Sequence, residues 1–160
     1  MSNPDLKFDL VIATPYSRLG LTFEADLLSG VEYLMPDSPL IISARPEVIN
    51  VSQQISCYFN DASYQFDVAM QLKGTDFQHR VWNEMRQIPA GQVKTYGEIA
   101  GILHSSPRAV GNACRANPIP LLIPCHRIVS ANGLGGFSGA TSGYYTDIKR
   151  KLLQHEGLDF

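Results

Sequence analysis

Apolar positions in the first seventy residues fall into short clusters, and beyond them they recur at helical spacing. Leu10 to Ala13 and Leu21 to Glu24 read as two short strands separated by the turn formers between Pro15 and Gly20. Val31 to Leu34 reads as a third, closed off by Met35, Pro36, Asp37, Ser38 and Pro39. Arg45-Pro46 opens a helix whose Val48, Val51, Ile55, Tyr58 and Phe59 repeat near the 3.6 period. Cys57 lies within it, where a small buried hydrophobe is expected. Phe66 to Met70 alternates as a half-buried strand does.

Lys73-Gly74 marks a boundary, which gives an N-terminal domain over 1–72 and a C-terminal domain over 73–160. Thr75 with Gln78 three positions on predicts a capped helix carrying Phe77, Val81 and Met85 on one face. Ile88-Pro89-Ala90-Gly91 stops it. Thr95 with Glu98 predicts a second capped helix through Ile99, Ala100, Ile102 and Leu103. Ser106-Pro107, a serine cap followed by a proline at the first helical position, starts a third that runs to Arg115. Two short helices joined by a tight turn, the second with arginines at both ends, make a helix-turn-helix. Small residues on that second helix (Ala109, Gly111, Ala113) permit close approach to a neighbouring helix or to a nucleic-acid groove, and the pattern alone does not choose. Cys114 on the same helix reads as packing.

Charge sharpens the division. The chain of 160 residues carries a net charge of −2. Residues 1–70 hold three basic groups against nine acidic ones, and residues 71–160 hold ten against six. The second half therefore suits a polyanion. An apolar fraction of 44% fits a globular protein, and no apolar run approaches the roughly 20 residues a membrane helix needs. Three widely spaced cysteines, Cys57, Cys114 and Cys125, argue against a disulfide framework or a clustered zinc site. With no visible signal peptide, they place the protein in the cytoplasm.

The chemistry concentrates in Ile123-Pro124-Cys125-His126-Arg127-Ile128-Val129. A thiol must lose its proton to act as a nucleophile, and an imidazole is the commonest device for that. A bare Cys-His pair would as readily be a structural cysteine beside a solvated histidine. The flanking residues make this one specific.

Eight segments occur in one order: Gly74-Thr75-Asp76-Phe77-Gln78, Val81-Trp82, Ile88-Pro89-Ala90-Gly91, Thr95-Tyr96-Gly97, Arg108-Ala109-Val110-Gly111, Asn117-Pro118, Pro124-Cys125-His126-Arg127 and His155-Glu156-Gly157. Residues 72–158 thereby resemble the O6-alkylguanine-DNA alkyltransferases, the methylated-DNA–protein-cysteine methyltransferases. The resemblance implies a two-domain α+β chain, with an N-terminal ribonuclease-H-like α/β domain and a C-terminal winged-helix-like domain containing the helix-turn-helix. It implies single-turnover repair, in which a damaged guanine is rotated out of duplex DNA and its O6-alkyl group moves irreversibly to the protein's cysteine, with O4-alkylthymine an open second substrate. The implied partner is double-stranded DNA containing O6-alkylguanine, with no cofactor, no metal, no membrane and no obligate protein partner; the protein would be a monomer.

Matched by motif, Cys125 would be the nucleophile, His126 its base through a bridging water, and Glu156 the group that orients the imidazole. Asn117 would brace the turn that carries the cysteine. Tyr96 would hydrogen-bond the guanine ring and crowd the DNA backbone. Arg108 would enter the duplex, and Ala109, Gly111, Arg115 and Arg127 would face DNA, the helix lying in the minor groove. Backbone groups at Cys125, Ile128 and Ser138 would read the base edge, while Pro120, Phe137 and Gly139 complete the pocket. The Lys149-Arg150-Lys151 run would displace counterions together with the arginines. Two features depart from the family: residues 139–147 form a longer loop by about five positions, and Phe137 stands where many members carry tyrosine. A DNA-binding sensor without transfer and a cysteine hydrolase with a Cys-His-Glu triad are the competing readings.

Overall fold

The computed structural model describes residues 7–137 and 139–160. The chain divides into two compact units, Met1–Leu72 and Lys73–Phe160.

In the first unit, β1 (Leu10–Ala13), β2 (Arg18–Glu24) and β3 (Leu27–Leu34) form an antiparallel sheet in chain order. The register pairs Leu10 with Leu21 and Leu21 with Val31, so the apolar residues of all three strands gather on one face. Helix α1 (Pro46–Asn60) begins on a proline in its first turn and buries Val48, Val51, Ile55 and Tyr58. Cys57 does not join them. It lies on the outward stripe and is exposed, because a residue two positions after Ile55 and one before Tyr58 falls off the apolar face. Phe66 to Met70 keeps its alternating exposure but forms no strand; a parallel bridge between Leu28 and Met70 is what the edge of β3 accepts.

The second unit opens with three short helices. Thr75 and Gln78 close a reciprocal capping box on α2 (Asp76–Arg86), which buries Val81, Trp82 and Met85. The indole N–H of Trp82 donates to the Ala113 carbonyl at 2.9 Å, fastening α2 to α4 (Pro107–Arg115). Between them lies α3 (Tyr96–Leu103), where only the threonine half of the expected box forms: the Thr95 hydroxyl accepts from the Glu98 N–H. His104 in the left-handed region (φ 54°) turns the chain from α3 into α4. The Ser106 hydroxyl then accepts from the Ala109 N–H at 3.2 Å. Ser106→Ala removes that acceptor, and a loss of about 1 kcal/mol is expected in urea unfolding monitored by the Trp82 fluorescence.

Sequence periodicity did not reveal the pairing of β4 (Lys94–Thr95) with β5 (Ile128–Val129), which is parallel and only two residues long. It joins the segment entering α3 to the segment leaving the Cys125–Arg127 3-10 turn. The last helix, α5 (Tyr144–His155), begins within 139–147, so the end of the longer loop is itself helical. It buries Ile148, Leu152 and Leu153, and no helix among the described residues is long and apolar enough to cross a membrane.

Candidate active site

Cys125 opens the 3-10 turn and lines a cavity of about 470 Å³, together with Tyr96 of α3, Arg108, Gly111, Cys114 and Arg115 of α4, and Phe137 and Gly139 of the following loop. Asn117 holds the turn. Its side-chain N–H donates to the Ile123 carbonyl at 2.9 Å and its side-chain oxygen accepts from the Ile119 N–H at 3.0 Å. That closes the loop 117–123 on itself and fixes where the next residues emerge. Burial pushes the Cys125 thiol up to about 11, against hydrogen bonding from Asn117 and the charge of Lys149. Left to itself, the sulfur is protonated at neutral pH and needs a base.

The candidate base is beside it. His126 is fully buried, and its Nε2 lies 2.7 Å from Glu156 Oε2. Burial would raise Glu156, yet the imidazole and the Arg127 guanidinium hold its carboxyl well below the usual carboxylate range. An ionised carboxylate can only accept, so Nε2 carries the hydrogen. Burial pushes His126 itself down, outweighing the pull of Glu156, and the ring is neutral at pH 7. Its Nδ1 then bears a lone pair, buried and without a hydrogen-bond partner among the described residues. That is the arrangement of a general base.

Several sequence expectations change here. Arg127 is turned inward: its Nε and one terminal nitrogen donate to Glu156 at 2.8 and 3.1 Å, and the other terminal nitrogen donates to the Ile88 carbonyl at 2.7 Å. The guanidinium is used up in holding Glu156 ionised. Ile128 is fully buried; its N–H is committed to the Cys125 carbonyl, and its own carbonyl already accepts from Lys149, which leaves one lone pair for a further donor. Pro120 is not in the cavity wall; it bridges to Ile123 within the loop that Asn117 closes. Lys149 is not part of a solvated basic run, being 0% exposed. Ser138 lies outside the described residues.

Other residues singled out by the sequence line the cavity. Arg108 and Arg115 are exposed at its rim, and Phe137 lies against its wall. The small residues of α4 divide between the two readings they allowed. Ala113 is buried under Trp82, which is helix packing. Gly111 is not: an added Cβ would meet nothing nearer than the Tyr96 ring at 3.9 Å, an ordinary contact, so internal packing does not demand a glycine. Gly135 is demanded, since it has φ 77° and an added Cβ would lie 3.1 Å from the Ser130 nitrogen and 3.2 Å from Tyr96.

Residues 76–158 match the family model for the DNA-binding domain of 6-O-methylguanine DNA methyltransferase. The chain belongs to this family. Over 102 residues it is 47% identical to the methylated-DNA–protein-cysteine methyltransferase of Sulfolobus acidocaldarius, a match covering 64% of this chain and 63% of that protein. The Methanosarcina acetivorans protein of the same name is 44% identical over 108 residues, covering 66% and 67%. Among solved structures, Mycobacterium tuberculosis OGT in complex with DNA superposes with a TM-score of 0.74 at 36% identity, over 91% of this chain and 90% of that one. The Methanococcus jannaschii O6-methylguanine DNA methyltransferase gives 0.68 at 29% identity over 94% of each. The overall mixed α/β architecture is therefore that of the methyltransferase family, in both units of the chain.

Proposed function

We propose that this chain is a direct-reversal DNA repair protein, which moves the alkyl group of O6-alkylguanine in duplex DNA to Cys125 and is consumed by doing so. The observation that carries the reading is Cys125 in the wall of an open cavity, next to a buried neutral imidazole whose other nitrogen is bonded to an ionised carboxylate. In the reaction, Nδ1 of His126 takes the thiol proton, directly or through one water. The thiolate displaces guanine at the alkyl carbon. A carbon–sulfur bond forms, the carbon–O6 bond breaks, and the electron pair returns to the base, where a proton restores guanine. Tyr96 meets that developing charge: burial raises its hydroxyl to about 12, so it remains a donor across the physiological range. A thioether has no leaving group for water to displace, so one event ends the activity.

The relatives' names and the solved complex with DNA support DNA as partner. We assign the second unit to DNA binding and transfer, with α3 and α4 as a helix-turn-helix in a winged-helix-like domain, and the first to a ribonuclease-H-like fold. Gly111, Ala109 and the rim arginines Arg108 and Arg115 make α4 the helix that approaches the minor groove. The cysteines, free in the structure, fit a cytoplasmic setting. Incubation with successive portions of duplex carrying O6-methylguanine tests the function. Repair should stop when one lesion per protein chain has been removed, and continued turnover would sink the proposal. Arg108→Ala should slow transfer from duplex by about tenfold or more, while transfer from a lesion in single-stranded DNA changes less, since an unpaired base needs no extrusion.

A further inference from the structure

We propose that Lys149 is a positioning residue for alkyl transfer, its buried ammonium clamping the two backbone segments that flank the cavity and supplying the fixed positive charge next to Cys125. The inference rests on the transfer reading above and names a residue that the reading leaves without a role. Lys149 reaches inward from α5 and is 0% exposed. Its Nζ donates to the Ile128 carbonyl at 2.6 Å and to the Gly136 carbonyl at 2.9 Å, and stands 6.0 Å from the centre of the Tyr96 ring. Ile128 follows the Cys125–Arg127 turn, and Gly136 belongs to the wall that carries Phe137 and Gly139. One ammonium therefore ties the nucleophile's segment to the cavity wall built by the following loop.

Burying an ammonium is costly unless charge or hydrogen bonds compensate, and two carbonyls are modest compensation. A solvated lysine at this place would be cheaper to fold, so the cation calls for a function. The titratable groups its charge influences come from two elements, Cys114 on α4 and Cys125 with neighbouring His126 on the 3-10 turn, and the Tyr96 ring of α3 lies alongside. None is an anion at rest. The charge has no standing partner there, and it gains one when the Cys125 proton leaves for His126. An ammonium already in place then favours the thiolate without rearrangement, while its repulsion of the imidazolium formed with it is met by the Glu156 carboxylate on the far side of the ring. Burial lowers Lys149 to about 8, with the thiols opposing, so the device is charged at neutral pH and is lost on the alkaline side.

The test compares wild type with Lys149→Met and Lys149→Arg on two readouts. The first is the pH dependence of Cys125 alkylation by iodoacetamide without DNA; the second is single-turnover transfer from O6-methylguanine duplex. Loss of the cation in Lys149→Met should raise the Cys125 titration by about one unit and slow transfer about tenfold or more, with affinity for undamaged duplex unchanged because the lysine does not reach the surface. Wild-type transfer should break downward near pH 8, and the arginine variant, which stays cationic, should keep its rate beyond that point. A thiol titration and transfer rate in Lys149→Met equal to wild type would overturn the proposal. If that variant does not fold, a wild-type rate rising smoothly from pH 7 to about pH 10 would overturn it instead. A wild type that alkylates with iodoacetamide but never takes a methyl group from DNA would defeat the transfer reading, while the thiol titration would still decide the role of Lys149.

Discussion

Cys125→Ser leaves the protein folded, able to bind O6-methylguanine duplex, and without detectable transfer. Serine fills almost the same volume, and the turn that presents it is held by Asn117 through the Ile119 N–H and the Ile123 carbonyl, neither of which involves the sulfur. Binding should survive because the rim arginines and α4 are untouched. Chemistry should not. Even with His126 beside it, a hydroxyl is far more basic than a thiol and a much weaker nucleophile toward saturated carbon, so a loss beyond about a thousandfold is expected. Intact-protein mass after incubation with methylated duplex is the measurement. Wild type gains one methyl group, mapped to Cys125, and the variant gains none while retaining the lesion DNA on a native gel. A methyl group found on Cys114 of the variant would contradict the assignment, because that thiol lines the same cavity but is pushed up to about 12, chiefly by burial. Methylation of the exposed Cys57 would mean that the cavity does not direct the reaction at all.

What could be read from the sequence followed how local each signal is. Thr75 with Gln78, and Ser106 with Pro107, are signals contained within four residues, and the helices start where they say. The Pro-Cys-His-Arg segment is equally local, so the nucleophile and its neighbour stood out at once. Arg127 and Lys149 failed for the opposite reason. Whether a cation faces solvent depends on the partners it finds 29 residues away in Glu156, or 21 and 13 away in Ile128 and Gly136, and no short window contains them. For Lys149 a usable signal was present: together with Leu152, Leu153 and Glu156 it sits at i, i+3, i+4 and i+7, the buried stripe of α5. The neighbouring Arg150 and Lys151, which are off that stripe, disguised it as part of a basic run. The two-residue β4–β5 pair is too short to leave any periodicity, and its long-range partner is what creates it.

Glu156→Ala should be the most damaging substitution to stability, and its pH dependence separates charge from packing. The carboxylate is buried at the end of α5 and accepts from His126 at 2.7 Å and from Arg127 at 2.8 and 3.1 Å. Removing it leaves a nearly buried guanidinium with only the Ile88 carbonyl and an imidazole with no partner, a loss of about 3–5 kcal/mol by analogy with other broken buried pairs. Glu156→Gln keeps the volume and one acceptor oxygen, so it should lose less stability. It should still slow transfer, because a neutral amide no longer stabilises the imidazolium that forms when His126 takes the Cys125 proton. For the wild type, a carboxyl lowered below its unfolded value of 4.5 contributes stability that is fully present above that pH and fades as the pH falls through the folded value. The difference in unfolding free energy between wild type and Glu156→Gln should therefore be constant from about pH 6 to 7 and shrink steadily below about pH 4.5. Urea titrations of the two proteins across that range measure it. A difference that does not change with pH would mean that Glu156 acts through shape alone, and the electrostatic account of how its carboxylate orients His126 would fall with it.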